Sequence, residues 1–106
     1  TFQAYWTSAG TNTGTVAWGM AGVSCGDNDT IDVAYGTAVV ATAKAHSGTA
    51  EDLNVSAESG AITIANAAKG ELVFFAIHRD VSADDNTGDA RLVGVKLSYT
   101  TDAATD

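Results

Sequence analysis

The sequence predicts an all-β fold, an antiparallel β-sandwich of seven or eight strands, most economically jelly-roll-like. Three observations carry this. Strand-length apolar stretches recur along the chain, separated by clusters of Gly, Asn, Asp and Ser. The chain is rich in Thr and Val and has eleven glycines and no proline, which favours strands over long helices. Residues 31–39 alternate with period two, the pattern of a half-buried strand.

The elements follow in order. Phe2, Ala4 and Trp6 fall on one face of a first strand, Gln3, Tyr5 and Thr7 on the other. Residues 8–14 (SAGTNTG) are a turn cluster. Residues 15–24 form a second strand, with Val16, Trp18 and Met20 on one face and Ala17, Gly19 and Ala21 on the other. Residues 26–30 (GDNDT) turn again. Ile31, Val33, Tyr35, Thr37 and Val39 then alternate with Asp32, Ala34, Gly36 and Ala38. This strand is expected to run to Ala43, followed by a loop through Ala50. Leu53, Val55 and Ala57 alternate with Asn54, Ser56 and Glu58 in a further strand. Residues 61–65 (AITIA) make a short one.

The two strongest strands come last. Residues 71–79 read ELVFFAIHR, and the apolar run 72–77 does not alternate, so both of its faces are expected to be covered. Residues 90–100 read ARLVGVKLSYT. Here Val93, Val95, Leu97 and Tyr99 share one face, and Leu92, Gly94, Lys96 and Ser98 the other. The connection between them, residues 80–89 (DVSADDNTGD), is dense in turn formers. A single domain over residues 1–101 and a flexible tail over 102–106 are expected.

Charge and composition narrow the function classes. Thirteen acidic residues against five basic ones leave a net charge of −8. Such a chain repels phosphate backbones and anionic membrane surfaces, so neither nucleic acid nor a membrane is an expected partner. No apolar run approaches the ~20 residues of a membrane helix, and no signal peptide opens the sequence. Cys25 is the single cysteine, so no internal disulfide forms, and no Cys/His spacing suits zinc. With nothing basic beside it to lower its pKa, Cys25 reads as a small buried hydrophobe.

An enzyme is not expected. Covalent catalysis needs a nucleophile, a base and an orienting group. His46, in a polar loop, and His78, beside Arg79 at a strand end, make no such set with any serine or cysteine nearby.

The loop carboxylates and their neighbouring amides fall in two groups, Asp27, Asn28 and Asp29 with Asp32 just beyond, and Asp80, Asp84, Asp85, Asn86 and Asp89. Clustered loop carboxylates can bind calcium, but neither group has the spacing of an EF-hand loop. Asp and Asn also close turns through their own backbone contacts. No metal or other cofactor is expected; Asp27, Asp29, Asp84 and Asp85 are the candidates for calcium if any binds. Arg79 and Arg91 flank the 80–89 loop, and an Arg–Asp network with Asp80 and Asp89 is expected to fix it.

Trp6 and Trp18 fall on core faces. Tyr5 and Tyr35 are the candidates for an exposed, sugar-stacking aromatic. Phe74 and Phe75 are adjacent and must point to opposite faces of their strand. One can fill the core; the other needs cover from a loop or a neighbouring subunit. Leu72, Phe74, Phe75 and Ile77 are therefore the candidate interface.

Two blocks of sequence resemble a known group. Residues 70–99 (GELVFFAIHRDVSADDNTGDARLVGVKLSY) hold an aromatic strand ending in Arg-Asp, a polar loop ending in Gly-Asp-Ala, and a Leu/Val strand ending in Tyr. This resembles the C-terminal block of small β-rich proteins of tailed bacteriophages. Residues 13–38 (TGTVAWGMAGVSCGDNDTIDVAYGTA) are similar to the front half of that family. The resemblance implies a virion-surface β-sandwich, either a capsid decoration protein or a head or tail fibre domain. It implies symmetric assembly, with a trimer favoured, and the major capsid protein or another virion protein as partner. It carries over no catalytic residue; Arg79, Asp80, Gly88, Asp89 and Ala90 match as a corner and its hairpin.

Two other function classes fit the residues. One is a carbohydrate-binding module, calcium-assisted or not, using Tyr5 and Tyr35. The other is a subunit of an extracellular filament built by strand addition at a sheet edge.

Overall fold

The computed structural model describes residues 1–100. The tail expected at 102–106 lies outside the described residues. Among the described residues the chain is all-β, without helix, in nine strands. These are β1 (Phe2–Thr7), β2 (Thr15–Val16), β3 (Trp18–Cys25), β4 (Val39–Val40), β5 (Lys44–Ala45), β6 (Asn54–Val55), β7 (Ile64–Ala65), β8 (Leu72–Arg79) and β9 (Arg91–Leu97). They form three sheets, none closed into a barrel. The first has the order β6-β1-β9, antiparallel throughout. The second is the small pair β2-β5. The third surrounds β3. There β8 pairs antiparallel along the whole of β3, so β4 (antiparallel) and β7 (parallel) must share its other edge.

Both large sheets contribute to one core. Phe2, Ala4 and Trp6 of β1 are buried together with Trp18 and Met20 of β3, Val16 and Ala41, and Ile62, Ile77 and Ala90 pack against them. The alternation read for β1 is the observed one. In β3 every residue is buried, not one face only. Its glycines allow this by close approach: a Cβ on Gly19 would stand 2.5 Å from the His78 ring, and one on Gly22 3.2 Å from Ile64.

The structure departs from the sequence reading at five places. Residues 31–38 are a connector, not a strand, and only Val39–Val40 and Lys44–Ala45 are extended pairs in that region. Ile31 is 73% exposed, and the Gly36 amide ties the connector to β3, donating to Gly22 O at 3.0 Å. The alternation is present, but β4 and β7 already occupy that edge of β3. The strands expected at 53–57 and 61–65 shrink to the two-residue β6 and β7. The strand expected at 15–24 breaks at Ala17, where β2 and β3 part into different sheets and Asp80 N donates to Ala17 O at 2.8 Å.

The fourth departure is a bulge in β9. The register against β1 slips between Tyr5 and Trp6, pairing Gly94 with Tyr5 and Leu92 with Trp6, so Val93 is the extra residue. Leu92 therefore shares the face of Val95 and Leu97 rather than opposing it. The fifth is β8, whose two faces were expected to be covered. Leu72 is 64% and Phe75 38% exposed, because β8 lies at the edge of its sheet.

Candidate functional site

β8 and β9 are consecutive in the chain but belong to different sheets. Each is paired along one side only, β8 to β3 and β9 to β1. The loop between them is held by Arg79. Its Nε donates to Asp84 Oδ2 at 2.8 Å and its Nη2 to Asp84 Oδ1 at 3.3 Å. Its Nη1 donates to Gly88 O at 2.7 Å, and Nη2 also reaches Asn86 O. This is the planar, forked geometry that a guanidinium supplies and an ammonium does not. Asn86, buried, donates through Nδ2 to Asn12 O and Gly14 O at 3.0 and 3.1 Å, tying the loop to the 8–14 turn.

The expected network forms in part. Arg79 takes Asp84 rather than Asp80 or Asp89. Arg91, exposed, takes Asp89 at 2.9 Å and lies 3.8 Å from Glu51. Asp80 accepts from Ser82 within its own turn. The sequence groups Asn86 with the loop carboxylates, but not with residues 12–14; only the folded register brings those to it.

Three loop carboxylates are held below their ordinary pKa. For Asp85 the chief cause is the Thr15 amide, with the Thr15 hydroxyl next. For Asp89 it is the Ser8 hydroxyl, and for Asp80 the Ser82 hydroxyl. A carboxylate with a depressed native pKa stabilises the fold above its unfolded value, and that contribution is lost as pH falls through the native value. Urea unfolding should therefore show stability falling as pH drops below about 4. Asp85→Asn should flatten part of that slope; an unaltered slope would remove Asp85 from the account.

Beyond the loop, the two sheets enclose an apolar groove of about 800 Å³. Its origin is visible in β3, whose side chains on the core face run Trp18, Met20, Gly22, Ser24. The two large residues fill the space between sheets at one end, and the two small ones leave it open at the other. Phe75, paired opposite Gly22, lines the groove with Ile62, Ile64 and Val73, facing Leu97 and Tyr99. Glu58 and Ser98 are among its polar lining.

Of the candidate interface residues, Leu72 and Phe75 are thus exposed, while Phe74 and Ile77 are half-buried. Phe74 pairs opposite Val23 on the other face of the sheet, and Ile77 packs against the core. β9 adds exposed Leu92, Val93, Val95 and Leu97, which the sequence reading did not assign to an interface. Phe75 and Leu97 meet in the groove, whereas Leu72 shares the opposite face of β8 with Phe74.

The remaining candidates lie elsewhere. Tyr5 is half-buried on β1 opposite Gly94, and Tyr35 is exposed on the 31–38 connector. Asp29 closes its own turn, accepting from Gly26 N at 2.8 Å. Among the described residues no three His, Cys, Asp or Glu side chains gather as a metal site. His46 is buried against Trp6, ring centroids 5.6 Å apart, and its Nδ1 accepts from Gly48 N at 3.1 Å. No family model, curated protein or solved structure matches the chain.

Proposed function

We propose that the chain is a structural protein of a tailed-bacteriophage virion, acting at the particle surface through symmetric protein–protein contacts. It would serve as a capsid decoration protein or a head or tail fibre domain, on a β-sandwich body of jelly-roll type. The observation that supports this best is the open side of the two sheets: two long strands, β8 and β9, each unpaired on one side among the described residues, with an apolar groove between the sheets lined by Phe75, Leu97 and Tyr99. Unpaired sheet edges are templates for pairing, and a contiguous apolar surface marks an interaction site. The partner is a virion protein, and repetition on a lattice multiplies weak single contacts. The resemblance of residues 13–38 and 70–99 to phage virion proteins points the same way.

The test uses particles of the phage whose genome encodes the chain. Mass spectrometry should find the chain in purified virions in many copies. Particles lacking it should release DNA at a lower temperature, and added chain should restore them. Val93→Asp, on a side chain that is 65% exposed, should leave the melting temperature near that of the parent and abolish the restoration. Absence of the chain from virions overturns the reading.

A further inference from the structure

We propose that the groove between the two sheets binds a neutral amphiphile, its alkyl chain between the sheets and its hydroxyl-bearing head at Glu58. Filling the groove leaves the unpaired sides of β8 and β9 as they are. The inference therefore goes beyond the proposed function and does not depend on it.

The first observation is shape. The groove runs beneath β3 rather than along a strand edge. Ile64 reaches it from β7 on one side of β3, and Val73 and Phe75 from β8 on the other. The two sides meet over Gly22, where a Cβ would stand 3.2 Å from Ile64 and 3.4 Å from the Phe75 ring. Leu97, paired with Phe2, stands on the facing sheet. The space is about 800 Å³. Small-molecule sites span roughly 300–1,000 Å³ and are apolar, with a few polar groups that orient the ligand. A slot of this kind admits an alkyl chain, whereas a broad protein surface would meet only its rim.

The second observation is where the polar lining stands. Thr1 and Ser98 exchange hydrogen bonds at 2.9 and 3.0 Å, and the Thr1 hydroxyl donates to Glu58 Oε1 at 2.8 Å. These three lining residues are therefore gathered in one place, with Tyr99 and Thr100 next along the chain. Isoleucine, valine, phenylalanine and leucine side chains line the rest. A lining divided in this way fits a ligand divided in the same way.

The third observation is charge. Glu58 is the one carboxylate of the lining, and no Lys, Arg or His joins it among the described residues. A carboxylate or phosphate head would face Glu58 in a chain of net charge −8. Glu58 Oε2 accepts no hydrogen bond among the described residues, so a head hydroxyl can donate to it. The hydroxyls of Tyr99 and Thr100 supply further partners. Residues 101–106 (TDAATD) hold two acids and no apolar side chain larger than that of alanine, so they do not match the apolar walls.

The test is calorimetric titration of the full chain with octyl β-D-glucoside, kept below its micellar concentration. Saturable binding at one site is expected. Hexyl β-D-glucoside should bind about tenfold more weakly, because two buried methylenes are lost. Octanoate should also bind about tenfold more weakly, and glucose alone should not bind. Ala61→Trp, at an exposed lining residue, should fill the groove and weaken the octyl glucoside about tenfold. Tyr99→Ala, on a side chain 86% exposed, should weaken it about threefold and serves if Ala61→Trp does not fold. Glu58→Gln should narrow the gap between octyl glucoside and octanoate. Thermal melts check that each variant folds.

No saturable binding overturns the inference. So does glucose binding as tightly as the glucoside, which would mark a sugar site. Octanoate binding as tightly overturns the assignment of the head to Glu58. Affinity unchanged in folded Ala61→Trp and Tyr99→Ala would place the ligand outside the groove and overturn the inference as well.

Discussion

Arg79→Ala is expected to lower the stability of the chain by about 3 kcal/mol or more, because removing one partner of a buried ion pair strands the other. The Asp84 side chain is 3% exposed and that of Arg79 19%. Truncation would leave the Asp84 carboxylate in a nearly dry site and the carbonyls of Asn86 and Gly88 without the guanidinium. For a chain of this size such a loss lowers Tm by roughly 10 °C or more. Arg79→Lys should recover only part of it, since an ammonium cannot hold both carboxylate oxygens and two carbonyls in one plane. Arg91→Ala is the internal control. Its ion pairs are solvent-exposed, and such pairs contribute at most about 1 kcal/mol. Melting followed by circular dichroism compares the three; Arg79→Ala melting with Arg91→Ala would sink the account of the loop.

Trp6→Ala is expected to cost about 3–5 kcal/mol, the range for truncating a large buried aromatic. Trp6 has no exposed surface, sits at the centre of the core with Phe2, Trp18 and Met20, and carries the ring against which His46 is buried. Trp6→Phe should cost much less than half of that. It removes volume, but it also removes an indole N–H that is buried without a protein hydrogen-bond partner. Denaturant titration of both variants decides this. Equal losses would mean that the indole nitrogen is satisfied in solution and contributes to the fold.

The parts of this fold legible in the sequence are those where side-chain period reports burial directly. Phe2, Ala4 and Trp6 announce a half-buried strand because β1 has one core face. Residues 31–38 mislead by the same signal: Ile31, Val33 and Tyr35 alternate, but alternation does not say whether any sheet edge is free to receive them. Val93 illustrates a second limit. One inserted residue reverses the facing of Leu92, and nothing in the text ARLVGVKL marks where the insertion falls. Of the exposed apolar residues, Leu72 and Phe75 could be singled out from the unbroken apolar run. The exposure of β9 could not, since its apolar spacing is that of any ordinary strand and its position as an outer strand is a property of the pairing order.

The partners of β1 also set the timing of assembly. Of the nine described strands β1 is made first and its long partner last: Phe2 pairs with Leu97. β6, the other partner, has only two residues and cannot hold β1 in a sheet alone. A chain still being synthesised therefore carries Phe2, Ala4 and Trp6 uncovered until residues 91–97 have emerged. Pairing across nearly the whole sequence makes folding slow and leaves the growing chain open to aggregation. It also makes the result all or none. A product ending before β9 lacks the long partner of β1, so the sheet around β1 is completed only when residues 91–97 have been made.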